Sequence, residues 1–226
     1  MKGRDLALLL ALAALWGASF MFIKVILRDG VSPLTLVSYR LGLGAAGLLA
    51  FYGAGRLRQR VAGQAADPFP WRRLLKPALI LGVLNVVLPY AAITWGETAI
   101  SSGEAAILNA TTPLFATIFV LLLGTRAGSE GTSLARMLGL GIGFLGVALL
   151  VSGGSAQPGV SSAQAWLGHG AVLVASASYA IASLYARRAF AGLPAIYSAL
   201  AQTCAAALIM LPVPFLDPPA HALSLA

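Results

Sequence analysis

Hydrophobic and polar positions fall into blocks: long runs without charge, broken by short clusters of arginine, lysine and turn residues. A helix that crosses the ~30 Å hydrocarbon layer of a membrane needs roughly 20 apolar residues. Leu6 to Ile23, Pro77 to Gly96 and Ala105 to Thr125 each supply one crossing, and Gly30 to Gly55 supplies another, interrupted only by Arg40. Met137 to Ala186 contains no Asp, Glu, Lys or Arg and is too long for a single helix; the turn-forming run from Ser152 to Gly159 divides it into two. Ala189 to Leu216 opens near Leu193-Pro194 and is closed by Pro212, Pro214 and Asp217-Pro218-Pro219. The pattern predicts an all-α polytopic membrane helix bundle with seven transmembrane helices.

Charge gives an independent check, because connections on the cytoplasmic side of a membrane retain Lys and Arg. Of 15 basic residues, twelve fall in alternate connections: Lys2, Arg4, Arg56, Arg58, Arg60, Arg72, Arg73, Lys76, Arg126, Arg136, Arg187 and Arg188. The opposite connections hold only Arg28, with Lys24 near the end of the first span and Arg40 inside the second. The expectation is a multi-pass protein of the cell inner membrane with a cytoplasmic N-terminus, and Asp217 and His221 outside. The basic start and leucine-rich run resemble a signal peptide, but the apolar stretch continues through Phe20 to Ile23, so the segment reads as a retained helix.

Composition narrows the chemistry. Only 10% of the 226 residues are charged and 59% are hydrophobic, with mean hydropathy +0.87, unlike an ordinary soluble domain. The basic residues follow topology rather than one helix face with interleaved aromatics, so no nucleic acid is expected as a partner. One cysteine, Cys204, and two distant histidines, His169 and His221, give no metal or disulfide framework. There is no phosphate-binding loop ending in Lys-Ser or Lys-Thr, no zinc-protease motif, no Ser/His/Asp set and no cofactor motif, which points away from an ATP motor or an enzyme. Gly42-x-Gly44-x-x-Gly47 and Gly141-x-Gly143-x-x-Gly146 match a dinucleotide pattern only as strings; within spans they read as close helix packing, as does the Gly139 to Gly143 step.

The first two spans can be laid over the last two at offsets of 161 to 163 residues, with Gly30 to Pro33 over Ala191 to Pro194 and Lys24 over Arg187. Five spans separate the copies, so the second would enter the membrane from the other side, as in transporters built from inverted repeats. Trp16 to Phe20, Pro33 followed by Tyr39-Arg40, Trp95-Gly96-Glu97 and the run Ser101 to Pro113 then resemble the EamA family of the drug/metabolite transporter superfamily. That resemblance implies ten helices in inverted five-helix repeats, secondary transport, and most often export of amino acids or other small metabolites. Against that pattern the second repeat is incomplete: residues 1–152 form the first repeat, 153–165 a connection and 166–226 two helices of the second. Glu104 is an acid where the family resemblance implies an apolar residue.

Polar groups inside spans are costly unless paired or facing a wet cavity, so they are the candidates for substrate binding. Arg40 is read as an anchor for a substrate carboxylate, against a snorkelling or structurally paired arginine. Asn109, Thr112 and Pro113 share one helix face, and Asn85, Pro89 and Tyr90 repeat the device; each proline frees the carbonyl four residues back, and the competing reading is a kink with asparagine as interhelical glue. Trp16 and Phe20, with Ser19 beside them, are candidates for the cavity wall, against aromatic residues that serve helix packing. Glu97 and Glu104 bracket the short Thr98 to Gly103 loop and are read as ordinary solvated loop acids, against acids that accept protons for coupling. The alternatives to amino-acid export are a nucleotide-sugar or lipid-linked-sugar carrier and a non-transporting membrane subunit. Expected partners are the lipid bilayer, a small-molecule metabolite, and a second copy or a C-terminal complement.

Overall fold

The computed structural model describes residues 3–64, 68–122, 134–153 and 158–217. Lys2, Arg126, His221 and residues 154–157 of the anticipated turn lie outside them. The described chain is helical throughout: α1 (Gly3–Arg28), α2 (Pro33–Val61), α3 (Trp71–Leu81), a π-helical turn (Gly82–Val87), α4 (Leu88–Ala99), α5 (Ser102–Asn109), α6 (Thr112–Leu122), α7 (Leu134–Gly153), α8 (Ser162–Ala189), α9 (Ala195–Met210) and a short α10 (Val213–Leu216).

Six stretches are long and apolar enough to cross a membrane: α1, α2, Trp71–Ala99, Ser102–Leu122, α8 and Ala195–Leu216. The apolar part of α7, Leu138–Gly153, is shorter and supplies the seventh segment. The third span begins at Trp71, earlier than its charge-free run, because Arg72, Arg73 and Lys76 occupy the first turns without breaking the helix.

Local chemistry explains the joints. Gly30 adopts φ 84° between α1 and α2, a left-handed conformation that costs glycine little. Ser32 then caps α2, accepting from the Thr35 N–H, with Pro33 in the first helical turn. Between α4 and α5 the helix is broken only at Ile100 and Ser101, where the Ser101 hydroxyl accepts from Glu104 N–H and the Glu104 carboxylate accepts from Ser101 N–H. Ser161 and Gln164 build the same reciprocal cap at the start of α8.

The core lies between α4 and α8. Their backbones meet at Gly96 and Gly168, where a Cβ on Gly96 would stand 2.9 Å from the Gly168 carbonyl oxygen and one on Gly168 would stand 3.0 Å from the Gly96 oxygen. Ile93, Ile100, Leu108, Val172 and Ala175 pack around this crossing. Val37, Leu41, Val86, Ala206 and Met210 join α2 and α9 to the π turn, while Leu74 and Ala78 pack on Ala201 and Ala205. The glycine steps anticipated from sequence behave differently: Gly139 and Gly47 face open space, and Gly143 meets the flexible Leu114 side chain. Spacing alone does not say which small residue faces a neighbouring helix.

Two polar ends bound the bundle. At one, Arg73 donates to the Ala191 carbonyl at 3.1 Å, and the rings of Tyr52, Phe69 and Tyr197 meet edge to face. At the other, Lys24 reaches the last turn of α4, Glu104 meets His169, and the Ser32 and Thr35 hydroxyls reach Asp217.

Candidate functional site

Between these ends three adjoining cavities open among α1, α2, α4, α5, α6, α8 and α9. One of about 280 Å³ is lined by Trp16, Ser19, Phe20, Arg40, Tyr90 and Tyr179, among others. A second of about 430 Å³ shares Trp16, Arg40, Tyr90 and Tyr179 and adds Asn85 and Gln202. A third of about 520 Å³ shares Trp16, Phe20, Asn85 and Tyr179 and adds Asn109 and Thr112. The structure thus brings all seven candidates from the sequence, Trp16, Phe20, Arg40, Asn85, Tyr90, Asn109 and Thr112, to one region in the middle of the bundle.

Helical geometry places them. Trp16, Ser19 and Phe20 lie three and four residues apart and present one face of α1. Arg40 stands two turns into α2, half-buried, and its guanidinium donates to the Ser19 hydroxyl at 2.9 Å. The same group sits 5.0 Å above the Tyr90 ring, a cation–π distance that holds a guanidinium while leaving donors for another partner. Arg40 lines the first two of these cavities, and among the described residues no other charged side chain lines any of the three.

Pro89 acts by a different route than the sequence predicts. Leu88 N–H bonds the Val83 carbonyl, five residues back. In that π register the group opposite Pro89 is the carbonyl of Leu84, rather than that of Asn85. The Ser178 hydroxyl of α8 fills the place of the missing donor, 2.6 Å from Leu84 O. Asn85 itself turns to α9, donating to Gln202 Oε1 at 2.8 Å. In the fourth span the break between α5 and α6 leaves the Asn109 carbonyl to the Thr112 hydroxyl at 2.8 Å. The Asn109 side-chain oxygen, buried beside the third cavity, has no partner among the described residues.

Four polar lining residues escaped the sequence: Tyr179, Ser183, Gln202 and Thr203. Tyr179 and Ser183 lie one turn apart on α8, a weak signal in a helix rich in serine and alanine. Glu97 also departs from expectation. It belongs to α4 and is fully buried, so it is no solvated loop acid. Glu104 is less exposed than a loop acid too, engaged by Ser101 and, at 3.3 Å, by His169.

Residues 5–152 match the model of the EamA-like transporter family. The chain belongs to that family. This EamA-like chain is also 31% identical over 181 residues to a protein of Escherichia coli K12 described as the uncharacterized inner membrane transporter YedA, an overlap covering 80% of the chain and 52% of the relative. Its counterparts in the O6:H1 and O157:H7 strains match to the same extent. The EamA-like chain spans about half the length of these curated relatives. No solved structure matches it.

Proposed function

We infer that the chain serves in secondary transport of small carboxylate-bearing metabolites, amino acids foremost, out of the cell by alternating access, driven by a proton gradient. The observation that carries this reading is Arg40: a guanidinium anchored by Ser19 and Tyr90, alone in charge among the linings of the three cavities and walled by Trp16, Phe20 and Tyr179. Such a site favours a carboxylate. Asn85, Asn109 and Thr112 supply amide and hydroxyl groups for the rest of the molecule, and the aromatic rings exclude water around it.

The sided distribution of Lys and Arg supports an inner-membrane orientation with the N-terminus cytoplasmic. Residues 1–152 act as the first inverted repeat, 153–165 as the connection and 166–226 as the opening of the second. The paired turns favour this division, since Gly30 and Gly192 both adopt left-handed conformations, with φ of 84° and 74°, shortly before a proline at or just before the first residue of the next helix. By the same symmetry, α1, the least covered of the six long spans, is where a helix of a second copy or a C-terminal complement packs as α8 packs on α4.

Vesicles carrying the chain alone, and vesicles carrying it with a C-terminal complement, test the reading by uptake of a radiolabelled amino-acid mixture under an imposed pH gradient. Competition by unlabelled amino acids supports it. Competition by nucleotide sugars instead, with none from amino acids, rejects the carboxylate anchor and favours a sugar carrier.

A further inference from the structure

Beyond the cavities, at the end of the bundle marked by Arg28, a carboxyl group stands apart from the residues assigned to substrate. Glu97 occupies the last turn of α4 with no exposed surface, and neither carboxylate oxygen has a hydrogen-bond partner among the described residues. Thr94, one turn earlier, is equally buried and its hydroxyl is also unpartnered. An isolated ionised carboxylate in an apolar interior is far costlier than its neutral acid. A group so placed suits an acid that carries a proton while enclosed and releases it when exposed.

The basic partner is in place. Lys24 of α1 donates to the main-chain carbonyl of Glu97 itself and, at 3.0 Å, to that of Ile100, carbonyls left without helical donors where α4 ends. Its ammonium therefore already sits on the residue whose carboxylate lacks a partner. Lys24 and Arg40 are the cations whose charge acts on Glu97. Arg28 and Glu104 act on Lys24 from α1 and α5, Glu104 is itself turned to His169 of α8, and Tyr90 and Tyr179 lie on the cavity side. Beside Gly96, the nearest atoms of α8 are those of Gly168 and Val172.

The same two helices bound the substrate region. Phe20 lies one turn before Lys24 on α1, and Ile93 lies one turn before Glu97 on α4; both line the cavity that holds Arg40. A shift of α1 against α4 consequently changes the cavity wall and the Lys24–Glu97 contact together.

We propose that Glu97 is the proton-carrying site of the transport cycle and that Lys24 is its alternating partner. With the acid protonated, Lys24 remains on the two carbonyls. When the site opens to the opposite side, the proton leaves to water there and the ammonium moves to the carboxylate, so one proton crosses with each cycle and nothing else is consumed. This assignment rests on the carrier reading above and adds the coupling group to it.

Two measurements on the chain in lipid vesicles separate the two claims. Infrared difference spectra on acidification are expected to show a protonated carboxyl band that disappears in Glu97→Gln and persists, shifted, in Glu97→Asp; a band unchanged by Glu97→Gln overturns the proposal whatever the vesicles transport. For transport, the probe is a radiolabelled amino-acid mixture. Glu97→Gln is expected to keep counterflow at equal pH within about two-fold of wild type while losing gradient-driven accumulation by about ten-fold or more. Gradient-driven accumulation preserved in Glu97→Gln overturns the coupling role. If wild-type vesicles move none of the mixture in either arm, the amino-acid reading fails, and the infrared band still decides whether Glu97 is a proton site.

Discussion

Arg40 and Ser19 are joined by a 2.9 Å hydrogen bond that ties α2 to α1 across the candidate cavity, with Tyr90 beneath the guanidinium. An arginine within a span costs roughly 2.5–3.5 kcal/mol on insertion scales, and one neutral hydroxyl offsets only part of that. The remaining donors are the reason to assign it a substrate carboxylate. Arg40→Lys keeps the charge but loses the planar fork and the stacking, so apparent affinity is expected to fall by about ten-fold or more. Arg40→Ala abolishes binding with membrane abundance unchanged. Ser19→Ala weakens binding only a few-fold, the effect of one neutral hydrogen bond. Competition uptake in vesicles ranks the three, and unaffected affinity in Arg40→Ala removes the anchor role.

The Pro89 site predicts a compensating pair. Ser178→Ala leaves the part-buried Leu84 carbonyl without its 2.6 Å donor, an expected loss of about 1 kcal/mol in unfolding free energy. Pro89→Ala restores a main-chain N–H opposite that carbonyl. Adding Pro89→Ala to Ser178→Ala should therefore cost less than the sum of the separate changes. Reversible unfolding of the four proteins in detergent measures the cycle, and strict additivity contradicts the register assigned to the π turn.

The spans and the clustering of the candidate residues were legible because a bilayer imposes a simple rule: apolar runs cross, and the rare polar side chains inside them gather away from lipid. Arg40, Asn85 and Asn109 stood out on that ground alone. Tyr179, Ser178 and Gln202 did not, since in helices full of Ala and Ser a single polar residue has no distinguishing period. Pro89 was recognised as a break, but one extra residue in the π turn moved its effect from Asn85 to Leu84, and local sequence does not announce such a shift. Glu97 was misread because it falls two residues before the end of a helix; its burial comes from helices distant in the chain, among them α1, whose Lys24 reaches the Glu97 carbonyl.

The α4/α8 crossing is a packing prediction. Gly168→Ala places a methyl group 3.0 Å from the Gly96 carbonyl oxygen and 3.1 Å from the Ile100 side chain, contacts that force the helices apart at an expected cost of about 1–3 kcal/mol. Gly170→Ala is the control, since nothing lies within 4 Å of its added carbon; there alanine's helix preference is expected to stabilise by a few tenths up to about 1 kcal/mol. Thermal unfolding in detergent should move in opposite directions for the two. Equal shifts would show that the glycine contact does not set the helix spacing.

Glu104 combines two jobs that substitution can separate. Its carboxylate accepts from the Ser101 N–H and hydroxyl, completing the cap of α5, and its other oxygen lies 3.3 Å from His169 Nε2 on α8. Glutamine reproduces the cap, because the amide oxygen accepts from Ser101 as a carboxylate does, but it brings no charge to the histidine. Alanine removes both. Glu104→Gln is expected to retain α5 and lose only the tie to α8, whereas Glu104→Ala loses a further increment of about 0.5–2 kcal/mol, the usual range for a helix cap. His169→Gln should erase most of the difference between wild type and Glu104→Gln while leaving the additional cost of Glu104→Ala in place. If the two Glu104 variants unfold alike, the cap contributes nothing at this joint, and the interaction with His169 accounts for the whole effect.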